Sequence, residues 1–221
     1  MSASSFRFRY LLGLLCHIAL AQVACTPLPL SPDRAPLILA DCGAQPNFAS
    51  ATQLKRWQSF PVDIYVDLGP IPETLLDVYR EGVERGIHLW AEALQRTMGR
   101  LLQFRVSYSP NAAPVTLSLS AGPLLENAMG ITELTFTDEL IVNAKIKLTR
   151  SHYERTPFLV NDLANTTAHE IGHVLGIVDH SPSSEDKMSA AGNFGVHNQD
   201  QDPVSLLTAS DLNTLREAYC R

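Results

Sequence analysis

The stretch His169-Glu170-Ile171-Gly172-His173-Val174-Leu175-Gly176-Ile177-Val178-Asp179-His180 constrains this chain more than any other. Residues four apart share a face of an α-helix, so His169 and His173 can hold one ion while Glu170 addresses a water beside it. Gly176 can end the helix in a left-handed cap. The turn after it can bring Asp179 or His180 round as a further ligand. A catalytic zinc takes three protein ligands and keeps one position open. The pattern therefore predicts a single Zn2+ held by His169, His173 and one of Asp179 and His180, with Glu170 as general base.

Such a helix needs a packed domain around it. The chain has 221 residues, 45% of them hydrophobic and 18% charged, which suits one well-cored domain and excludes a disordered chain. Residues 1–24 read differently. Arg7 and Arg9 precede an uncharged run from Leu11 to Ala21, the layout of a signal peptide and too short to span a bilayer comfortably. Without those residues, 15 basic side chains face 23 acidic ones, a formal charge of −8 that argues against a nucleic-acid partner. Ala19-Leu20-Ala21 fits cleavage by a signal peptidase. Leu20-Ala21-Gln22-Val23-Ala24-Cys25 resembles a bacterial lipobox, with Gln22 where an aliphatic residue is usual. Both routes place the mature protein outside the cytoplasm, either freely secreted or anchored to a membrane through lipid on Cys25.

Residues 25–52 are proline-rich near their start and read as a linker or short pro-segment, leaving 53–221 as the catalytic domain. Alternation predicts strands at Pro61–Leu68, Leu102–Ser109, Val115–Ser120, Ile131–Thr137 and Leu140–Leu148, the last with Leu140, Val142, Ala144, Ile146 and Leu148 on one face. Pro72 opens a long helix whose apolar stripe includes Leu75, Leu76, Tyr79, Val83, Ile87, Trp90 and Leu94, with Gly82 and Gly86 as weak points. A second long helix runs from Pro157 or Asn161 to Leu175 and carries the histidine motif. Thr208 or Ser210 caps a closing helix. His88 reads as a packing or surface residue, and His152 and His197 as loop residues.

His169, Glu170, His173, Gly176 and Asp179, followed by Met188, resemble the extended motif of the metzincin zinc endopeptidases and their methionine-containing turn. Asp179 where most members carry histidine, with His180 beside it, is similar to the snapalysin-like branch. Leu207–Tyr219 looks like the closing helix of matrixins. The resemblance implies an α/β zincin fold: a mixed, mostly parallel twisted sheet with one antiparallel edge strand, two long helices, the active-site helix and a C-terminal helical subdomain. It also implies Asp179 as third ligand, His180 being the alternative, and Met188 beneath the metal. The activity implied is hydrolysis of an extended peptide or protein substrate paired along Ile131–Thr137 by a monomeric metalloprotease.

Two further points stay open. Cys42 and Cys220 form an even pair for an oxidising compartment, and a disulfide between them would add about 3 to 5 kcal/mol in the chain-entropy picture. Asp41-Cys42-Gly43 also faintly resembles a matrixin pro-segment in which a thiolate blocks the metal. Rival readings are a zincin of another clan, with Glu185 or Glu217 as a distant ligand, and a secreted adhesion or binding module that keeps the metal without turnover.

Overall fold

The computed structural model describes residues 54–69, 71–98, 103–124, 128–150, 159–190 and 206–219. The signal peptide, the whole linker with Cys25 and Cys42, and Cys220, His152 and His197 lie outside the described residues. Five strands and three helices follow one another: β1 (Val62–Asp67), α1 (Glu73–Met98), β2 (Phe104–Ser107), β3 (Val115–Ser120), β4 (Gly130–Thr137), β5 (Leu140–Thr149), α2 (Leu159–Leu175) and α3 (Ala209–Tyr219). The second long helix and the active-site helix are one element, α2. Among the described residues, a count of two long helices, an active-site helix and a terminal helix is therefore one too many.

The sheet runs β2-β1-β3-β5-β4. β1 pairs in parallel with β2 and β3, β3 pairs in parallel with β5, and β4 closes one side antiparallel to β5. The expected mixed, mostly parallel sheet with an antiparallel edge is what forms. Val62, Ile64 and Val66 alternate into the core from β1, as Val115 and Leu117 do from β3. They meet Tyr79, Val83, Ile87 and Trp90 of α1 and Leu163, Ile171 and Val174 of α2. Each such side chain stabilises the fold by about 1.5–3 kcal/mol through burial.

One strand departs from its pattern. The register of β4 on β5 jumps from Thr135↔Asn143 to Phe136↔Ile141, so Val142 has no place in the ladder. This bulge reverses the phase of the alternation. Ile141 is buried, whereas Val142, expected inside, is 52% exposed.

α1 and α2 pack closely because two positions on α1 lack side chains. A Cβ at Gly86 would lie 2.5 Å from Thr167 Cβ and 2.6 Å from the Ala164 carbonyl oxygen, and one at Gly82 would meet Leu163. The glycines that weaken α1 as an isolated helix are what admit α2. Trp90 adds a polar tie, its indole N–H donating to the Ala168 carbonyl at 2.7 Å.

Candidate metal centre

α2 ends where Gly176 begins, at φ +117°. Ile177 N–H donates to the Gly172 carbonyl and Gly176 N–H to that of His173, the paired bonds of a Schellman cap. A Cβ at Gly176 would collide with the Lys55 carbonyl oxygen. Lys55 N–H donates to the Gly176 carbonyl at 2.9 Å. The remaining carbonyls of the last turn accept from distant parts of the chain: Val174 from the Trp57 indole at 2.8 Å and Leu175 from the Tyr219 hydroxyl at 2.8 Å. The helix end that carries the motif is thus closed by residues far from it in sequence.

His169 and His173 lie buried on one side of this helix, and the turn brings His180 against both. Their ring centroids stand 4.9 Å (His169–His173), 5.2 Å (His169–His180) and 4.9 Å (His173–His180) apart. One ligand atom from each lies within 4.8 Å of the others, close enough for the three to hold a metal ion. His180 is the exposed member. Asp179, favoured by motif register, is not in this cluster; partial burial lowers the pKa of His180, and the Asp179 carboxylate opposes that shift. His88 is exposed on α1, its Nδ1 against the Glu84 carbonyl, and takes no part.

The protonation pattern suits ligation. His169 Nδ1 lies 2.7 Å from the Lys187 carbonyl and His173 Nδ1 2.6 Å from the Ile177 carbonyl. A carbonyl only accepts, so each Nδ1 carries the hydrogen and each Nε2 the lone pair. Orienting bonds of this kind normally sit behind metal-bound imidazoles. Burial, the largest cause, lowers the pKa of His169 to about 4 and of His173 to about 3, keeping both rings neutral near pH 7. Three neutral imidazoles form a donor set that fits Zn2+.

Glu170 is buried against β4, and burial pushes its pKa up to about 7 against the opposing effect of the Thr132 hydroxyl. That places it near the range in which a carboxylate can both take and return a proton at neutral pH.

Residues 181–189 form a tight loop that meets His169 through the Lys187 carbonyl. Ser181 N–H donates to the Met188 carbonyl at 2.7 Å. The Met188 side chain is fully buried and fills the space left by Gly172, where a Cβ would strike its sulfur and the Trp90 ring. Asp211 fixes this loop from α3. Its carboxylate accepts from Lys187 N–H at 2.9 Å and Met188 N–H at 3.1 Å, and also from Thr208 N–H at 2.9 Å. The Lys187–Met188 peptide unit therefore bonds Asp211 on one side and His169 on the other. Thr208, one of the two expected caps, closes a capping box by accepting from Asp211 N–H at 3.2 Å. The Thr208-Ala-Ser-Asp211 spacing carried that signal, and sequence reasoning took only the cap from it. Thr132 likewise reads in the sequence only as a strand residue, and Gly130 stands one residue before the predicted strand.

No protein-family model matches this sequence, and no curated protein matches it significantly.

Proposed function

We infer that this chain is a zinc-dependent endopeptidase of the metzincin type, working outside the cytoplasm either free or lipid-anchored. One observation carries the reading: three imidazoles bring ligand atoms within 4.8 Å of one another, and the buried carboxylate that follows the first of them in sequence is held by the edge strand. His169, His173 and His180 would hold the ion. A bound zinc would supply Lewis acidity toward a substrate carbonyl and toward water.

The remaining chemistry belongs to the protein's own residues. Glu170 takes a proton from the attacking water and returns it to the amine that leaves, so water adds across one peptide bond and no other reactant is needed. β4 ends the sheet order, and its outer side is where an extended peptide would add as a further strand. The Lys187 and Ile177 carbonyls keep His169 and His173 in the ligating tautomer. With His180 as third ligand, Asp179 serves to raise the basicity of that ring.

The test is digestion of a mixed peptide library by the zinc-loaded protein, read by mass spectrometry, with Glu170→Ala as control. Internal cleavage that vanishes in the control is expected. A folded protein holding one zinc and cleaving nothing would refute the reading.

A further inference from the structure

β4 touches Glu170 in two places that a three-histidine cluster does not require. Strand residues two apart face the same side, so Gly130 and Thr132 both look toward α2. The Thr132 hydroxyl lies 2.6 Å from Glu170 Oε2, to which it donates. It also lies 3.4 Å from the Glu170 backbone carbonyl. At Gly130, a Cβ would sit 2.5 Å from Glu170 Oε1 and 2.8 Å from the Cδ and Cγ atoms. One carboxylate oxygen is thus tied by a hydroxyl, and the other lies against strand backbone where no side chain fits. A glutamate otherwise samples several rotamers about its side-chain bonds, and ordering it costs entropy. These two contacts restrict that sampling before substrate arrives.

We propose that Gly130-Ile131-Thr132 is a seat for the Glu170 carboxylate, with Thr132 a positioning residue that holds the general base while the outer edge of the same strand receives the peptide. This rests on the endopeptidase reading above. Its consequence is that one three-residue segment sets both the direction of the base and the register of the substrate. A peptide paired with β4 arrives already aligned to Glu170, the kind of alignment on which effective molarity depends.

Three substitutions and two readouts test this. Thr132→Val keeps the shape and removes the donor; Thr132→Ser keeps the donor. A hydrogen bond to a charged group is worth enough that Thr132→Val should lose about ten- to hundredfold in kcat with KM changed less than about twofold. Thr132→Ser should recover to within about threefold of the parent, since it restores the bond. Gly130→Ala should displace the carboxylate and lose about a hundredfold in kcat, as small misplacements of catalytic groups do. The second readout needs no turnover: the side-chain carboxyl carbon resonance of Glu170 in 13C-glutamate-labelled, metal-free protein, assigned by its absence in Glu170→Gln. It should move in Thr132→Val and stay in Thr132→Ser. An unmoved resonance in Thr132→Val, or equal kcat losses in the valine and serine variants, would overturn the proposal. If the parent cleaves no peptide, the endopeptidase reading falls, and the resonance alone then decides whether the seat exists.

Discussion

From Asp162 to Leu175, α2 is buried all round, yet its two faces are buried by different means. Toward α1 the fit is mainly one of space, Leu163 lying at Gly82 and Thr167 with the Ala164 backbone at Gly86, and the Trp90 indole adds one polar tie to the Ala168 carbonyl. Toward the loop and β4 the helix presents Asn165, His169, Glu170 and His173. Each meets a named polar partner: the Lys187 ammonium, the Lys187 carbonyl, the Thr132 hydroxyl and the Ile177 carbonyl. The first face is specified by volume and the second by the identity of partner atoms. A change that respects size but not chemistry should be tolerated on the first and ruinous on the second.

Four experiments press on this contrast. On the endopeptidase reading, Glu170→Gln keeps volume and removes the proposed base, and should lower kcat about a hundred- to ten-thousandfold while zinc content and melting temperature stay near the parent's. A large loss of zinc in that variant would blur the division between the faces. Gly86→Ala does the reverse. Alanine is a better helix former by about 1 kcal/mol, yet the added Cβ should overpack the crossing and destabilise the protein by about 1–3 kcal/mol in urea unfolding. Unchanged or increased stability would mean that the crossing has slack. Asp211→Asn removes an ionised acceptor shared by the Lys187, Met188 and Thr208 amides, and should cost about 1–3 kcal/mol. It should also weaken zinc affinity roughly tenfold, because the peptide unit behind His169 loosens. Titration with a chromophoric zinc chelator separates the two effects.

The smallest effect concerns the end that both faces share. Tyr219 is buried, and burial raises its phenol pKa above the ordinary 10.0. Since the folded value exceeds the unfolded one, the stability due to a neutral phenol is complete below pH about 10 and falls as pH rises beyond it, because the unfolded chain ionises first. Tyr219→Phe should flatten this alkaline decline. It should also cost about 1–3 kcal/mol at neutral pH, because the Leu175 carbonyl loses its donor. An identical alkaline slope in parent and variant would discard the assignment.

The two faces also differ in how far the sequence reveals them. Alternation in β1, β3 and β4 predicted strands close to those observed, and the polar face of Ile131–Thr137 suited an edge strand, while its antiparallel direction was an expectation of the resemblance alone. Spacing of four placed His169 and His173 on one face. Periodicity could not see the bulge at Thr135/Phe136, because an inserted residue changes the phase without changing composition. Nor could it choose between Asp179 and His180, since adjacent residues in a turn point by backbone dihedrals that no spacing encodes. Gly82 and Gly86 read as defects, for a close helix crossing is a property of the partner helix. Asp211 was hidden because its partners are backbone amides 23 and 24 residues earlier, which leave no mark on residue type.

Trp57 and Tyr219, which together close the last turn of α2, are 162 residues apart and are themselves joined, Trp57 N–H to the Tyr219 hydroxyl at 3.3 Å. Bringing such distant positions together is entropically costly and comes late in folding. Synthesis starts from the amino-terminal side, so α2 leaves the ribosome with Trp57 already made but the Leu175 carbonyl without its donor, and waits for α3 to supply it. On the reading proposed above, the peptide-cutting centre is finished only with the closing helix. A nascent chain would then carry the histidines and the carboxylate for some time before it could hold them in working order.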